Sequence, residues 1–213
     1  TYLQFLEPAI GPLRLFQFIS VRSVLAGLLA LLFGFILGPK LISALQRIGA
    51  KQAFREKSEV GELADLHESK AKTPTMGGLL IFGSVLFSTI LCADLNVYVI
   101  TALAVYGILT LIGFCDDYLK ISQKNSKGLA GRYKLLGQFI ATSVALFILI
   151  GPLSEMLTGI HGRAVGSSEK MFELWIPFYK DVLITSMPVV CVFSLFLITL
   201  TGSSNAINLT DGL

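Results

Sequence analysis

The chain has 213 residues, of which 54% are hydrophobic and 15% charged, with a formal net charge of +3. Soluble domains carry roughly 25% charged residues and the mean hydropathy here is +0.73, so an ordinary soluble domain, a disordered chain, a collagen and a disulfide-rich mini-protein are all excluded. The small net charge gives no reason to expect nucleic acid, and an integral membrane protein remains.

In chain order, the first 22 residues mix Leu3, Phe5, Leu6, Leu13, Leu15, Phe16, Phe18 and Ile19 with polar positions. There is no basic start before an apolar core and no small-residue cleavage site, so this is not a secretory signal. The pattern predicts a helix lying in the membrane interface. A run of about 20 residues without charge spans the hydrocarbon as a helix. Five runs reach or approach that length: 17 uncharged positions between Arg22 and Lys40, 21 between Lys72 and Asp94, 21 between Asp94 and Asp116, 20 between Lys134 and Glu155, and 29 between Asp181 and Asp211. Lys40 can snorkel at a helix end, which lets the first helix run past Pro39 to about Leu45. The predicted spans are 21–45, 75–93, 96–116, 134–152 and 182–204, all in one integral-membrane domain over 1–213. The predicted fold is an all-α polytopic membrane protein with five transmembrane helices in this chain. A short extracytoplasmic β-hairpin is expected around Met171–Phe178, with Trp175 and Tyr179 as interfacial anchors.

Lys and Arg set the orientation. Segments 40–74 and 116–134 hold 12 of them, while the N-terminal segment, the 94–96 turn and the 151–182 loop hold 5. That bias places the first two segments in the cytoplasm and the N-terminus outside. Cys92, Cys115 and Cys191 have no disulfide or metal spacing and read as small hydrophobes. Gly34 and Gly38 form a GxxxG that can bring two helices close.

Polar groups at a membrane edge are costly, which makes them functional candidates. Three clusters qualify, all on the cytoplasmic side. Lys70-Ala71-Lys72-Thr73-Pro74-Thr75-Met76-Gly77-Gly78 precedes the second span. Pro74 pushes Thr73 out of helical geometry, so a helix is expected near Thr75, capped by Thr73 or Thr75. A helix start beside lysines and hydroxyls suits an anion; it also suits a capped membrane helix with positive-inside lysines. Asp116-Asp117-Tyr118-Leu119-Lys120 ends the third span. If the helix continues, Lys120 lies at i+4 from Asp116 and i+3 from Asp117, with Lys124 a turn further. Paired carboxylates hold Mg²⁺, lysines hold phosphate oxygens, and adjacent acids raise one another's pKa. A solvated helix end is the bland alternative, although acids at a helix C-terminus need a compensating cation. In the third cluster, Asn205, Asn208 and Asp211 recur at i, i+3, i+6 and form one polar stripe. Amides beside a carboxylate can read a uracil-like edge or complete a metal site; a frayed helix end is the alternative. Between the last two clusters, Lys124, Lys127, Arg132 and Lys134 form an acid-free basic stretch suited to anionic lipid or a diphosphate.

Taken together, Lys70, Pro74-Thr75-Met76-Gly77-Gly78, Asp116-Asp117-Tyr118-Leu119-Lys120, Lys127-Gly128-Leu129 and Asn205-Ala206-Ile207-Asn208-Leu209-Thr210-Asp211-Gly212-Leu213 resemble the phospho-N-acetylmuramoyl-pentapeptide-transferases. These are a branch of the polyprenyl-phosphate sugar-1-phosphate transferase superfamily, and the likeness runs along essentially the whole chain. It implies a reaction of peptidoglycan synthesis at the bacterial inner membrane. UDP-MurNAc-pentapeptide and undecaprenyl phosphate would give lipid I and UMP, with Mg²⁺, in a homodimer. It also implies roles: Asp116, Asp117 and Lys70 catalytic, Asp116 as general base toward the lipid phosphate, and Asp117 and Asp211 at the metal. Thr75, Lys120, Lys124, Lys134, Asn205, Asn208, Asp211, Gly212 and Leu213 would bind substrate. A covalent phospho-aspartate is the competing mechanism. The family pattern continues past Asp-Gly-Leu with another aspartate, further spans, a main metal-site aspartate and a histidine-rich loop, and neither His67 nor His161 replaces these. The expectation is a truncated N-terminal half that is inactive alone. A UDP-GlcNAc-type transferase and a non-catalytic membrane scaffold are the alternatives.

Overall fold

The computed structural model describes residues 11–47, 76–123, 128–151 and 171–211, with the side chains of 11–13 and 208–211 outside that description. The described residues form five α-helices, α1 (Ile19–Arg47), α2 (Gly78–Cys92), α3 (Val97–Gln123), α4 (Gly131–Ile150) and α5 (Val189–Asp211), after a 3-10 segment at Gly11–Gln17. In hydrocarbon every backbone N–H and C=O must be paired inside its own segment, which selects helices. α1, α3, α4 and α5 are long and apolar enough to cross a bilayer, whereas α2 has only 15 residues. Large apolar side chains such as Phe35, Val190 and Ile198 point outward, 77%, 74% and 69% exposed. A soluble protein avoids such surfaces, and this chain is a multi-pass membrane protein.

The chain divides into two compact units. The first comprises Thr1–Asp94 with Thr110–Gly131. Here α1 packs on α2: the Phe33 and Phe87 rings sit 4.3 Å apart, and a Cβ on Gly38 would meet Leu80 Cδ2 at 3.4 Å. Of the GxxxG pair only Gly38 makes this approach; a Cβ on Gly34 meets nothing within 4 Å. α2 buries Ser84, Ser88 and Cys92, one small residue per turn. Where α1 begins and α2 has ended, Arg22 Nη1 pairs with Asp94 Oδ2 at 3.1 Å.

The second unit comprises Leu95–Leu109 with Arg132–Leu213. Asn96 starts α3, its Oδ1 accepting the Val99 N–H at 3.0 Å, a side-chain N-cap. The buried face of α4 supplies the core. Ile148 and Leu149 meet Val97, and Leu146 meets Met187 and Val192, with Phe139 edge-on to Phe193 at 5.2 Å.

Several expected boundaries move. α2 starts at Gly78 rather than near Thr75, and its N-cap is Gly77 with no side-chain cap bond. Thr73 and Thr75 lie outside the described residues. The reason is Met76, held in the left-handed region at φ 72°, where a helix cannot continue. α3 runs on to Gln123, so Asp116, Asp117 and Lys120 all sit inside it. α5 begins at Val189, not 182. Pro188 lacks the N–H a preceding turn would need, while its carbonyl accepts from Cys191 and Val192. The residues before it are otherwise engaged: an isolated antiparallel bridge joins Leu174 to Ile184, and Met187 N donates to Phe172 O at 2.8 Å. That bridge, between different partners, stands in place of the hairpin expected at Met171–Phe178. Of the interfacial helix expected over the first 22 residues, Gly11–Gln17 is a 3-10 segment and Ile19 to Arg22 open α1.

Ser84 Oγ is buried without a hydrogen-bond partner among the described residues, and an unsatisfied buried hydroxyl costs about 1 kcal/mol or more. Ser84→Ala therefore leaves the thermal midpoint in detergent unchanged or raises it; a clear fall would show that the hydroxyl is bonded.

Candidate functional site

The first cluster grows from one stripe of α3. Asp116, Asp117 and Lys120 recur at helical spacing, so Lys120 Nζ reaches Asp116 Oδ2 at 2.6 Å and Asp117 Oδ1 at 3.5 Å. One cation thus answers two carboxylates on an apolar helix, the compensation that buried acids require. Each carboxylate also takes a backbone N–H from a different loop. Asp117 Oδ2 accepts from Met76 N at 3.2 Å, which ties down the left-handed residue just ahead of α2. Asp116 Oδ1 accepts from Leu129 N at 2.7 Å, just ahead of α4. Met76 ahead of α2 and Leu129 ahead of α4 are therefore fastened to adjacent positions of one helix.

The two acids are not equivalent. Both oxygens of each carboxylate are engaged, but the Asp116 side chain is 8% exposed and that of Asp117 is 32% exposed. Asp117 is the more accessible of the two carboxylates. Gly128 is held at φ +58°, and a Cβ there would fall 2.5 Å from Asp116 Oδ1 and 2.8 Å from Lys120 Cε. Glycine is required at this position for its backbone and for its lack of a side chain. The Phe114 and Tyr118 rings stack 6.0 Å apart on the same helix.

The second cluster joins α4 to α5. Asn205 lies on α5, which stays helical through Asp211. Asn205 Nδ2 donates to Thr201 O at 2.9 Å and to Gln138 Oε1 at 3.3 Å. Gln138 Nε2 in turn donates to Ser204 Oγ at 3.3 Å. Lys134 lies in the first turn of α4, next to Arg132, whose guanidinium sits 4.9 Å above the Tyr133 ring. Cations at a helix N-terminus run against its dipole and add to a positive local field.

Of the residues expected from sequence, the structure brings Asp116, Asp117 and Lys120 together and places Asn205 in a hydrogen-bonded group on α5. Lys70, Thr75, Lys124, Gly212 and Leu213 lie outside the described residues, as do the side chains of Asn208 and Asp211. Three participants were not anticipated: the Met76 N–H, Gly128 as a spacer, and Gln138. For Gln138 a signal existed. It is the sole amide in the charge-free run after Lys134, one turn along, and polar groups at membrane depth call for a partner.

As a metal site the described residues supply Asp117 as an accessible carboxylate. Among them no group of three His, Cys, Asp or Glu residues could hold an ion. Mg²⁺ commonly takes one or two carboxylates and completes its shell with water and phosphate oxygens, and Asp117 fits such a partial donor set.

A carboxylate–lysine stripe that fastens two loops at the end of an apolar helix defines a membrane protein built to present charge at the bilayer edge. The chain belongs to glycosyl transferase family 4, whose family model matches residues 97–213. The phospho-N-acetylmuramoyl-pentapeptide-transferase signature 1 matches residues 70–82, the stretch that ends in the Asp117-tethered turn and the start of α2. All 213 residues align at 38% identity with the phospho-N-acetylmuramoyl-pentapeptide-transferase of Opitutus terrae, covering 54% of that protein. The namesake of Maridesulfovibrio salexigens is 39% identical over 209 residues, 98% of this chain and 52% of the relative. That of Protochlamydia amoebophila is 34% identical, over 93% of this chain and 55% of the relative. The chain thus spans about half the length of the curated relatives it matches.

Gly128→Ala places a methyl against Asp116 and forces an L-residue into the left-handed region, a conformational cost of about 1–2 kcal/mol before the clash is counted. It lowers the thermal midpoint in detergent and loosens the Leu129–Asp116 contact; a variant as stable as the parent would refute this geometry.

Proposed function

We propose that this chain is the N-terminal part of a Mg²⁺-dependent phospho-N-acetylmuramoyl-pentapeptide-transferase. It acts at the cytoplasmic face of the bacterial inner membrane in peptidoglycan synthesis. A phosphate oxygen of undecaprenyl phosphate attacks the sugar-bearing phosphorus of UDP-MurNAc-pentapeptide. The new P–O bond gives lipid I, and the broken diphosphate bond releases UMP. The observation that carries the reading is the paired tether: Asp117 holds Met76, within the signature match, and Asp116 holds Leu129, both beside Lys120.

Phosphoryl transfer between two phosphates asks the protein mainly for positioning and charge neutralisation. Bound Mg²⁺ would supply further neutralisation of the diphosphate. Asp117 is the carboxylate that would hold it, and the family resemblance adds Asp211. Lys120 and Lys134 provide cations for phosphate oxygens, together with Lys70 and Lys124. Thr75, Asn205, Asn208, Gly212 and Leu213 bind the nucleotide sugar. As general base toward the lipid phosphate Asp116 is the less accessible of the two acids, its side chain 8% exposed against 32% for Asp117. In the arrangement seen it anchors Lys120 and the Leu129 N–H, and we assign it that work, with Asp117 facing the substrates.

This division makes the two aspartates separable. In the full-length transferase, lipid I formation from the two substrates requires Mg²⁺ and stops with EDTA. Asp117→Asn lowers kcat by roughly a hundredfold or more with little change in thermal midpoint. Asp116→Ala strips partners from Lys120 and Leu129 and lowers the thermal midpoint as well, costing about 3–5 kcal/mol of stability. Lipid I made by Asp117→Asn at the parental rate, or UDP-GlcNAc used in preference to UDP-MurNAc-pentapeptide, would overturn the reading. The 213-residue segment assayed alone is expected to form no lipid I.

A further inference from the structure

Gln138 is 2% exposed on the face of α4 that also buries Ala141, Thr142 and Ala145. An amide in such surroundings is costly unless its donors and acceptor are matched. Its two contacts are specific: Nε2 gives a proton to Ser204 Oγ, and Oε1 accepts from Asn205 Nδ2. The effect on Asn205 follows from counting hydrogens. Its Nδ2 carries two, and these go to Thr201 O at 2.9 Å and Gln138 Oε1 at 3.3 Å. Turning the amide over would set Asn205 Oδ1 against the Thr201 carbonyl, acceptor against acceptor. Asn205 is left with Oδ1 as the atom it can offer a ligand. A carbonyl oxygen receives a hydrogen-bond donor or a cation and repels a phosphate oxygen.

Resting on the transferase reading, we propose that Gln138 is a positioning residue for Asn205, holding its carboxamide so that Oδ1 receives an electropositive ligand group. That group is an N–H or O–H of the nucleotide, or the metal ion, and never a phosphate oxygen. Thr142, one turn further along α4, continues the polar line by donating its Oγ1 hydrogen to Gln138 O at 3.0 Å. The backbone carrying Gln138 is thus part of a regular helix, and its side chain is free to serve α5.

The test uses the full-length transferase with UDP-MurNAc-pentapeptide, undecaprenyl phosphate and Mg²⁺ varied in turn. Gln138→Met is close to isosteric and apolar, so it suits a membrane helix; should its thermal midpoint drop, Gln138→Leu is held to the same outcomes. A neutral hydrogen bond that only orients its partner is worth roughly threefold to tenfold. The KM for the nucleotide sugar at saturating Mg²⁺ rises by that factor if the donor is on the nucleotide. The Mg²⁺ concentration giving half-maximal rate rises instead if the ligand is the cation. The KM for undecaprenyl phosphate stays unchanged in both cases. Combined with Asn205→Ala, Gln138→Met adds no further loss, because its effect passes through Asn205. Unchanged constants, an additive loss in the double variant, or a loss falling on the lipid phosphate would each overturn the proposal while leaving the transferase reading intact. If the parent protein forms no lipid I, the transferase reading fails, and this inference fails with it.

Discussion

A carboxylate on a membrane helix has to be neutralised where it stands, because the surrounding medium solvates charge poorly. Asp116 and Asp117 sit side by side on α3, and Lys120, one turn on, can answer only part of their demand. The remaining lone pairs are filled by backbone N–H groups of Met76 and Leu129, 41 and 13 residues away in sequence. Two loops are thereby attached to one helical stripe. The unusual backbone of Met76 and the obligatory glycine at 128 are consequences of the attachment. Desolvated charge works here as a device for assembling a site.

The second unit solves a neutral version of the same problem. Gln138, Ser204 and Asn205 pair amide with hydroxyl and amide with amide, so no charge is needed to hold α4 against α5 at that level. A carboxamide has both donor and acceptor, and how its hydrogens are spent decides which end is left for a ligand. The carboxylate stripe keeps the loops in place, and the amide group sets hydrogen-bond polarity on α5. Both lie among helices whose apolar side chains face outward, as lipid contact requires.

Much of this was legible in the residues. Charge-free runs marked the helices, and the i+3 and i+4 spacing of Lys120 from the two aspartates marked their ion pairs, because both signals are local and periodic. Helix ends were less legible. The start of α2 depends on a left-handed Met76 that only a distant carboxylate holds in place. The start of α5 depends on Pro188 together with a bridge formed by residues before it. The expected hairpin proved to be one bridge between Leu174 and Ile184, since alternation of side chains does not choose a pairing partner.

The sequence by itself determined that the chain lives in a membrane, how many apolar helices it forms and which charged residues cluster beside them. Those properties follow from composition and short-range spacing. Tertiary structure alone decided which aspartate is enclosed and which is accessible, and which loop each one holds. It also decided that Gln138 turns the Asn205 amide. These are contacts between segments far apart in the chain, where geometry rather than periodicity assigns each donor to its acceptor.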